Sequence, residues 1–200
     1  MHLVEQIGEF MHFGQVANFK TNSKLPIEKF PIALNSNLKP SIKIQKAEEV
    51  DERFHSRLNC KKKTYRYIIN NSQNGTAIYR NLETHIPKKL DVEKMQQAVK
   101  YFEGEHDFKA FRSSGTSSKS SVRTIYKAEV IEMPSERIYI ELTGSGFLYN
   151  MVRIISGTLV DVGLGKIEPS QIKDIIELKD RTKAGKTLQP QGLYLLKVEY

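Results

Sequence analysis

Cysteine is almost absent. Cys60 is the only one in 200 residues, so no intrachain disulfide can form, and the chain fits a reducing cytosol. A lone cysteine is more often a packing residue than a nucleophile. No apolar run approaches the roughly 20 residues that span a bilayer. The opening MHLVEQIGEF has no basic stretch followed by an apolar core, so it does not read as a signal peptide. There is no second cysteine, no HExxH and no CxxC, and His55 and His106 alone do not make a metal set, so no metal is expected. GxxxxGK[ST] and GxGxxG are both missing, which leaves nucleotide cofactors unsupported. Gly144-Ser145-Gly146 is too short to be a phosphate loop. No repeat of fixed period is visible.

What is present is an ordinary apolar fraction, 39%, enough for one sizeable core or two small ones sharing an interface. The net charge of +8 favours a polyanionic partner, nucleic acid first, although a basic solvated surface carries the same charge.

Periodicity predicts strands at Gly14–Lys20, Ile42–Val50, Thr64–Ile69, Leu82–Ile86 and Leu193–Val198. A strand pair, Val122–Met133 and Arg137–Thr143, is joined at Pro134 and Ser135. Helices are expected at Pro26–Leu38, bent or restarted at Pro31, then at Leu90–Gly104, Phe147–Val162 and Pro169–Leu178. Leu90–Gly104 has Asp91 as N-cap, apolar residues at helical spacing, and Gly104 as its stop. Arg112–Ser121 is a polar exposed loop, a linker rather than a nucleophile site. Strands joined by short turns among helices imply an α+β fold with mainly antiparallel sheet. A domain boundary is expected between 1–104 and 105–200.

Two segments could carry chemistry. Arg57–Tyr67 (RLNCKKKTYRY) combines Arg57, Lys61, Lys62, Lys63 and Arg66 with Tyr65 and Tyr67. Cations neutralise phosphates and aromatic faces stack on unstacked bases. The same strip also fits a solvated basic turn entering a strand whose tyrosines cover a core. Gly144–Gly163 places Arg153 inside an apolar helix. An arginine there could hold a carboxylate or a phosphate, make a structural salt bridge, or reach water along the helix face.

Taken in order, GQVANF, ALNSNL, FHSR, KTYRYIIN, HDFKAF, VRTI, GFLYNMVRIISGTLVDVG, KDRTKAG and PQGLYL resemble the tRNA pseudouridine synthases of the TruA type, from Gly14 to Tyr200. The resemblance implies two similar subdomains with mainly antiparallel sheets flanked by helices, the first incomplete here. It also implies isomerisation of uridines in the tRNA anticodon arm, without metal or organic cofactor, by a cytoplasmic homodimer. In that family an aspartate attacks the nucleoside, and the base detaches, rotates and rejoins through carbon. Tyr65 matches the substrate-stacking tyrosine, and Arg153 matches the arginine that pairs with the catalytic aspartate. Arg57, Lys61, Lys62, Lys63 and Arg66 resemble the tRNA-contacting strip.

The first residues depart from the pattern. The family aspartate lies in GRTDxGVHA, one residue before GQVANF; here Ile7 takes its place, and no aspartate precedes Asp51. No catalytic nucleophile is therefore identifiable. Back-translation suggests a cause. With codons chosen within the degeneracy of the code, ASGRTDRGVHAFGQ preceded by AT and given one extra T in its TTT run reads, from the ATG so created, as Met1–Gln15 of this chain. The expectation is a frameshift ahead of Gly14, with residues 1–13 non-native and the N-terminal subdomain truncated. Three readings follow: a synthase by descent without turnover, a non-catalytic tRNA-binding remnant, or a structural domain unrelated to RNA. Sequencing the locus checks the frameshift. A GRTD-like stretch in the neighbouring frame is the predicted result, and its absence would contradict the idea.

Overall fold

The computed structural model describes residues 11–12, 14–115 and 118–200. Most of the expected non-native stretch 1–13, and two residues of the loop Arg112–Ser121, lie outside the described residues. The chain divides into two units, one formed by Val16–Asn59 and the other by Cys60–Tyr200 with the residues just before Val16.

The second unit holds the sheet, β1 (Met11–His12), β2 (Lys62–Asn70), β3 (Thr84–His85), β4 (Gly104–Asp107), β5 (Val122–Met133), β6 (Arg137–Gly144) and β7 (Leu193–Glu199). Their order is β1-β7-β2-β6-β5-β4, with β3 beside β2. The β1–β7 and β2–β3 pairs are parallel and the other four are antiparallel, so the chain is α+β with a mostly antiparallel sheet. Period-two alternation is cleanest in β6. Ile138, Ile140 and Leu142 are buried while Arg137, Tyr139, Glu141 and Thr143 are only half-buried on the other face.

Within the second unit, helices cover one face of the sheet. In the first unit stands α1 (Phe30–Asn35); in the second, α2 (Val92–Val99), α3 (Met151–Gly163) and α4 (Gln171–Leu178). Met95, Val99, Ile154, Ile155 and Leu159 join Tyr67, Ile69, Ile140 and Leu142 in one core. Asp91 caps α2 by accepting from the Lys94 N–H at 3.0 Å. None of the helices among the described residues is long and apolar enough to cross a membrane.

Several expected elements differ. Gly14–Lys20 is not a strand; the Gly14 N–H reaches the Leu195 carbonyl at 3.3 Å, and pairing stops there. Ile42–Val50 forms no strand, and no described residue pairs with it as a neighbouring strand. The Asn35 amide stands in for one, donating to the Ile44 carbonyl at 3.0 Å and accepting its N–H at 2.8 Å. Pro26–Leu38 splits into a 3-10 turn, Ile27–Lys29, and α1, which restarts with Pro31 in its first turn. Gly104 opens β4 instead of simply ending a helix, with φ +105. The helix expected from Phe147 begins at Met151 because Asn150 is left-handed, φ 61. The first unit buries no apolar side chain; Ser56 is its one buried residue among those described.

One close approach organises the second unit. A Cβ on Gly157, mid-way along α3, would lie 1.9 Å from the Lys186 carbonyl oxygen. A Cβ on Gly185 would lie 2.6 Å from the Gly157 carbonyl and the Thr158 nitrogen. Backbone therefore rests directly on backbone, and the Gly185 N–H donates to Thr158 Oγ1 at 2.9 Å. Over-packing ordinarily costs about 1–3 kcal/mol. Gly157→Ala should lose about 3 kcal/mol or more, since the loop cannot retreat without breaking its contacts with α3. Gly165→Ala meets nothing within 4 Å but is held at φ +70, so it should lose only about 1–2 kcal/mol. Urea midpoints of the two variants compare these directly.

Candidate active site

Arg153 sits in the first turn of α3, half-buried. Its Nε donates to the Leu188 carbonyl at 2.7 Å, and its own carbonyl accepts the Leu188 N–H at 3.3 Å. Nη1 donates to Asn150 Oδ1 at 2.8 Å. Among the described residues it has no acidic partner. Both acceptors are neutral. Charged hydrogen bonds of this kind contribute about 1.5–3 kcal/mol each, comparable with the several kcal/mol that desolvating an ion costs. The guanidinium can therefore hold its place while its charge stays uncompensated.

The Leu188 carbonyl is itself placed by the Gly157–Gly185 approach. Arg181 secures the same loop, with Nη1 on the Gly185 carbonyl at 3.0 Å and Nη2 on Thr187 Oγ1 at 3.2 Å. Asn150 is held from the other side, its Nδ2 donating to Ser113 Oγ at 3.0 Å. The Ser113 N–H meets the Tyr149 carbonyl at 3.1 Å. The polar loop read as a linker is thus tied to the start of α3 at this end.

Tyr65 and Tyr67, two apart on β2, face the helix side of the sheet, the side on which α3 packs. Tyr65 meets the edge of Phe147, centroids 5.2 Å apart at 80°. Burial raises the Tyr65 phenol above the ordinary tyrosine range. Tyr67 is fully buried and bonded to Thr84 Oγ1 and the Gln189 carbonyl, each at 2.5 Å. Burial pushes its phenol up to about 12, against the Thr84 hydrogen bond and the Arg153 charge.

The members of the basic strip on β2 do not share one face of the strand. Arg66 lies half-buried on the opposite face of β2 from Tyr65, with Nη2 at 2.5 Å from Glu141 Oε1 and its guanidinium over the Tyr139 ring. Lys62 is exposed, with Nζ 5.3 Å from the Tyr126 ring centre. Lys61 is exposed and Lys63 half-buried. Arg57, also exposed, belongs to the first unit. A cavity of about 390 Å³ opens on the outer sheet face beside Arg66, Arg137 and Tyr79, but its guanidiniums are occupied by Glu141 and Glu83. Among the described residues, no group of three His, Cys, Asp or Glu side chains could hold a metal ion.

Sequence reasoning missed Asn150, Leu188 and the two glycines; Tyr67, named there only as an aromatic of the strip, is the one of its tyrosines that lies fully buried. A signal for the glycines was available: Ser156-Gly157 interrupts an otherwise apolar helix. The Leu188 carbonyl left none, because a backbone acceptor has no residue signature.

The second unit thus carries a half-buried tyrosine on β2 and, on the helix α3 that packs against that strand, an arginine without an acidic partner among the described residues. A family model described as tRNA pseudouridine synthase matches residues 98–200. The chain is 52% identical to tRNA pseudouridine synthase A of Ruminiclostridium cellulolyticum over 188 residues, 94% of this chain and 77% of that protein. It is 51% identical to the enzyme of that name from Thermoanaerobacter sp. strain X514, covering 93% and 76%. The Clostridium acetobutylicum protein of that name is 49% identical, covering 92% and 75%. These matches define an RNA-modifying isomerase by descent. The chain belongs to the tRNA pseudouridine synthase family, A type.

The raised Tyr67 phenol makes a test of the site's packing. An unfolded tyrosine releases its proton near pH 10, so the unfolded chain gains stability first as pH rises. Folded stability should decline from there until the folded phenol ionises at about 12. In Tyr67→Phe that part of the decline, read from urea midpoints against pH, should vanish.

Proposed function

We propose that this site is built for uridines of the tRNA anticodon arm and that the polypeptide as it stands does not turn them over. In this reading Tyr65 is the wall against which the flipped base stacks. Arg153 is the cation that keeps an aspartate ionised beside that base. Ile7 stands where the aspartate belongs, and neither Glu5 nor Glu9 falls on that position. The observation that carries the reading is the fixed Arg153 guanidinium, held by a carbonyl and an amide oxygen with its charge unpaired among the described residues.

Lys61, Lys62 and Lys63 are proposed to meet tRNA phosphates, together with Arg57 from the first unit. Arg66 belongs to the expected set too, but its pairing with Glu141 makes it the weakest member. The same reading has the protein act as a cytoplasmic homodimer, without metal or organic cofactor. It also has the two family subdomains meet between residues 104 and 105, with residues 1–13 a frameshifted remnant. A second reading, a tRNA-binding remnant without chemistry, is favoured by the exposed Lys61 and Lys62 on a chain of net charge +8.

Tritium release from tRNA labelled at uridine C5 separates the possibilities. The 200-residue chain should give none above blank while still retaining tRNA at low salt. Its log affinity should fall linearly with log salt, by roughly 0.7–0.9 per phosphate contact. Replacing Lys61, Lys62 and Lys63 by alanine should flatten that slope. Turnover by the unaltered chain would overturn the inactivity. No binding at low salt would overturn both readings and favour a structural domain.

A further inference from the structure

The proposed chemistry uses Tyr65 and leaves Tyr67 without a task. Tyr67 is among the largest fully buried side chains of the chain, yet it ends in a hydroxyl with two short hydrogen bonds. Their direction follows from elementary donor counting. The Gln189 carbonyl can only accept, so the single phenolic proton must go there. The Thr84 hydroxyl must then be the donor to the Tyr67 oxygen. The result is a directed chain, Thr84 to Tyr67 to the Gln189 carbonyl.

Gln189 directly follows Leu188, whose carbonyl receives the Arg153 Nε–H at 2.7 Å. The segment also passes close to the Tyr67 ring at Gly192. A Cβ on Gly192 would stand 2.8 Å from Tyr67 Cζ and 3.0 Å from Thr84 Oγ1. Among the described residues Arg153 has no carboxylate to aim it, and its orientation there rests on where two neutral oxygens stand. One of them is fixed by the next peptide's bond to Tyr67. We propose that Tyr67 is a positioning residue, which through the Gln189 carbonyl fixes the Leu188 carbonyl and thereby the guanidinium of Arg153.

Its neutrality matters. A phenolate here would serve as a counter-ion to Arg153, whereas a phenol that ionises only at about 12 stays a donor and leaves the arginine's charge for an incoming anion. The functional meaning rests on the reading of Arg153 as partner to a carboxylate. The geometry does not, so it can be tested without turnover.

The experiment is hydrogen exchange of the arginine Nε–H groups in the 200-residue chain labelled with 15N-arginine. Arg137, whose Nε donates to Glu83 at 2.6 Å, is the internal control. Tyr67→Phe should speed exchange at Arg153 about tenfold or more and leave Arg137 unchanged. Thr84→Val, which removes the donor to Tyr67, should speed Arg153 in part, and Thr84→Ser should restore the slow rate. Unchanged exchange at Arg153 in Tyr67→Phe would overturn the proposal. So would equal acceleration at both arginines, which marks general loosening. If Tyr67→Phe does not fold, the comparison of Thr84→Val with Thr84→Ser decides by the same criteria. Turnover by the unaltered chain would sink the proposed inactivity but leave these exchange rates standing.

Discussion

The reciprocal pairing of Arg153 with Leu188 depends on two residues having no side chain. Gly157 and Gly185 let a loop lie against the backbone of α3, and that contact sets the Leu188 carbonyl where Arg153 can reach it. The Arg181 guanidinium grips the same loop, and Asn150 completes the hold on Arg153 from the start of the helix. The arginine is thus oriented by neutral groups. A salt bridge would orient it as well, but would neutralise the charge that the proposed reading reserves for an anion. Preorganised donors and charges act at little reorganisation cost when the reacting group arrives.

This arrangement accounts for what several family segments do here. KDRTKAG is a loop clasped by its own arginine. The run from Gly144 to Gly163 supplies the left-handed Asn150, the arginine, and the glycine on which the loop rests. In KTYRYIIN, alternate residues serve opposite faces: Tyr65 and Tyr67 face the helices, while Arg66 pairs with Glu141 on the other side. A strip that is continuous in sequence is divided in space because a strand turns successive side chains to opposite faces.

Much of the second unit could be read from sequence because its pattern and its burial agree. The β5–β6 hairpin, the Asp91 cap and the closing strand have the period or the capping residue that their environment demands. The first unit could not be read so well. Ile42–Val50 alternates like a strand, but alternation alone does not make one: pairing needs a neighbouring strand, and none of the described residues supplies it. At the site, Tyr65 and Arg153 were visible as residue types. What holds them was not, because backbone carbonyls and close glycine contacts depend on tertiary approach. Asn150 shows the limit most sharply: its left-handed backbone shifts the helix start to Met151 and turns its amide toward Arg153.

In the proposed reading, the one group this chain lacks is a carboxylate at position 7. The most direct measurement replaces residues 2–13 with ASGRTDRGVHAF, which puts an aspartate at that position, and follows pseudouridine formation in anticodon-arm tRNA. The account predicts turnover by the repaired chain and none by the original. Equal activity in both would contradict it, as would a repaired chain that folds and binds tRNA yet forms no product.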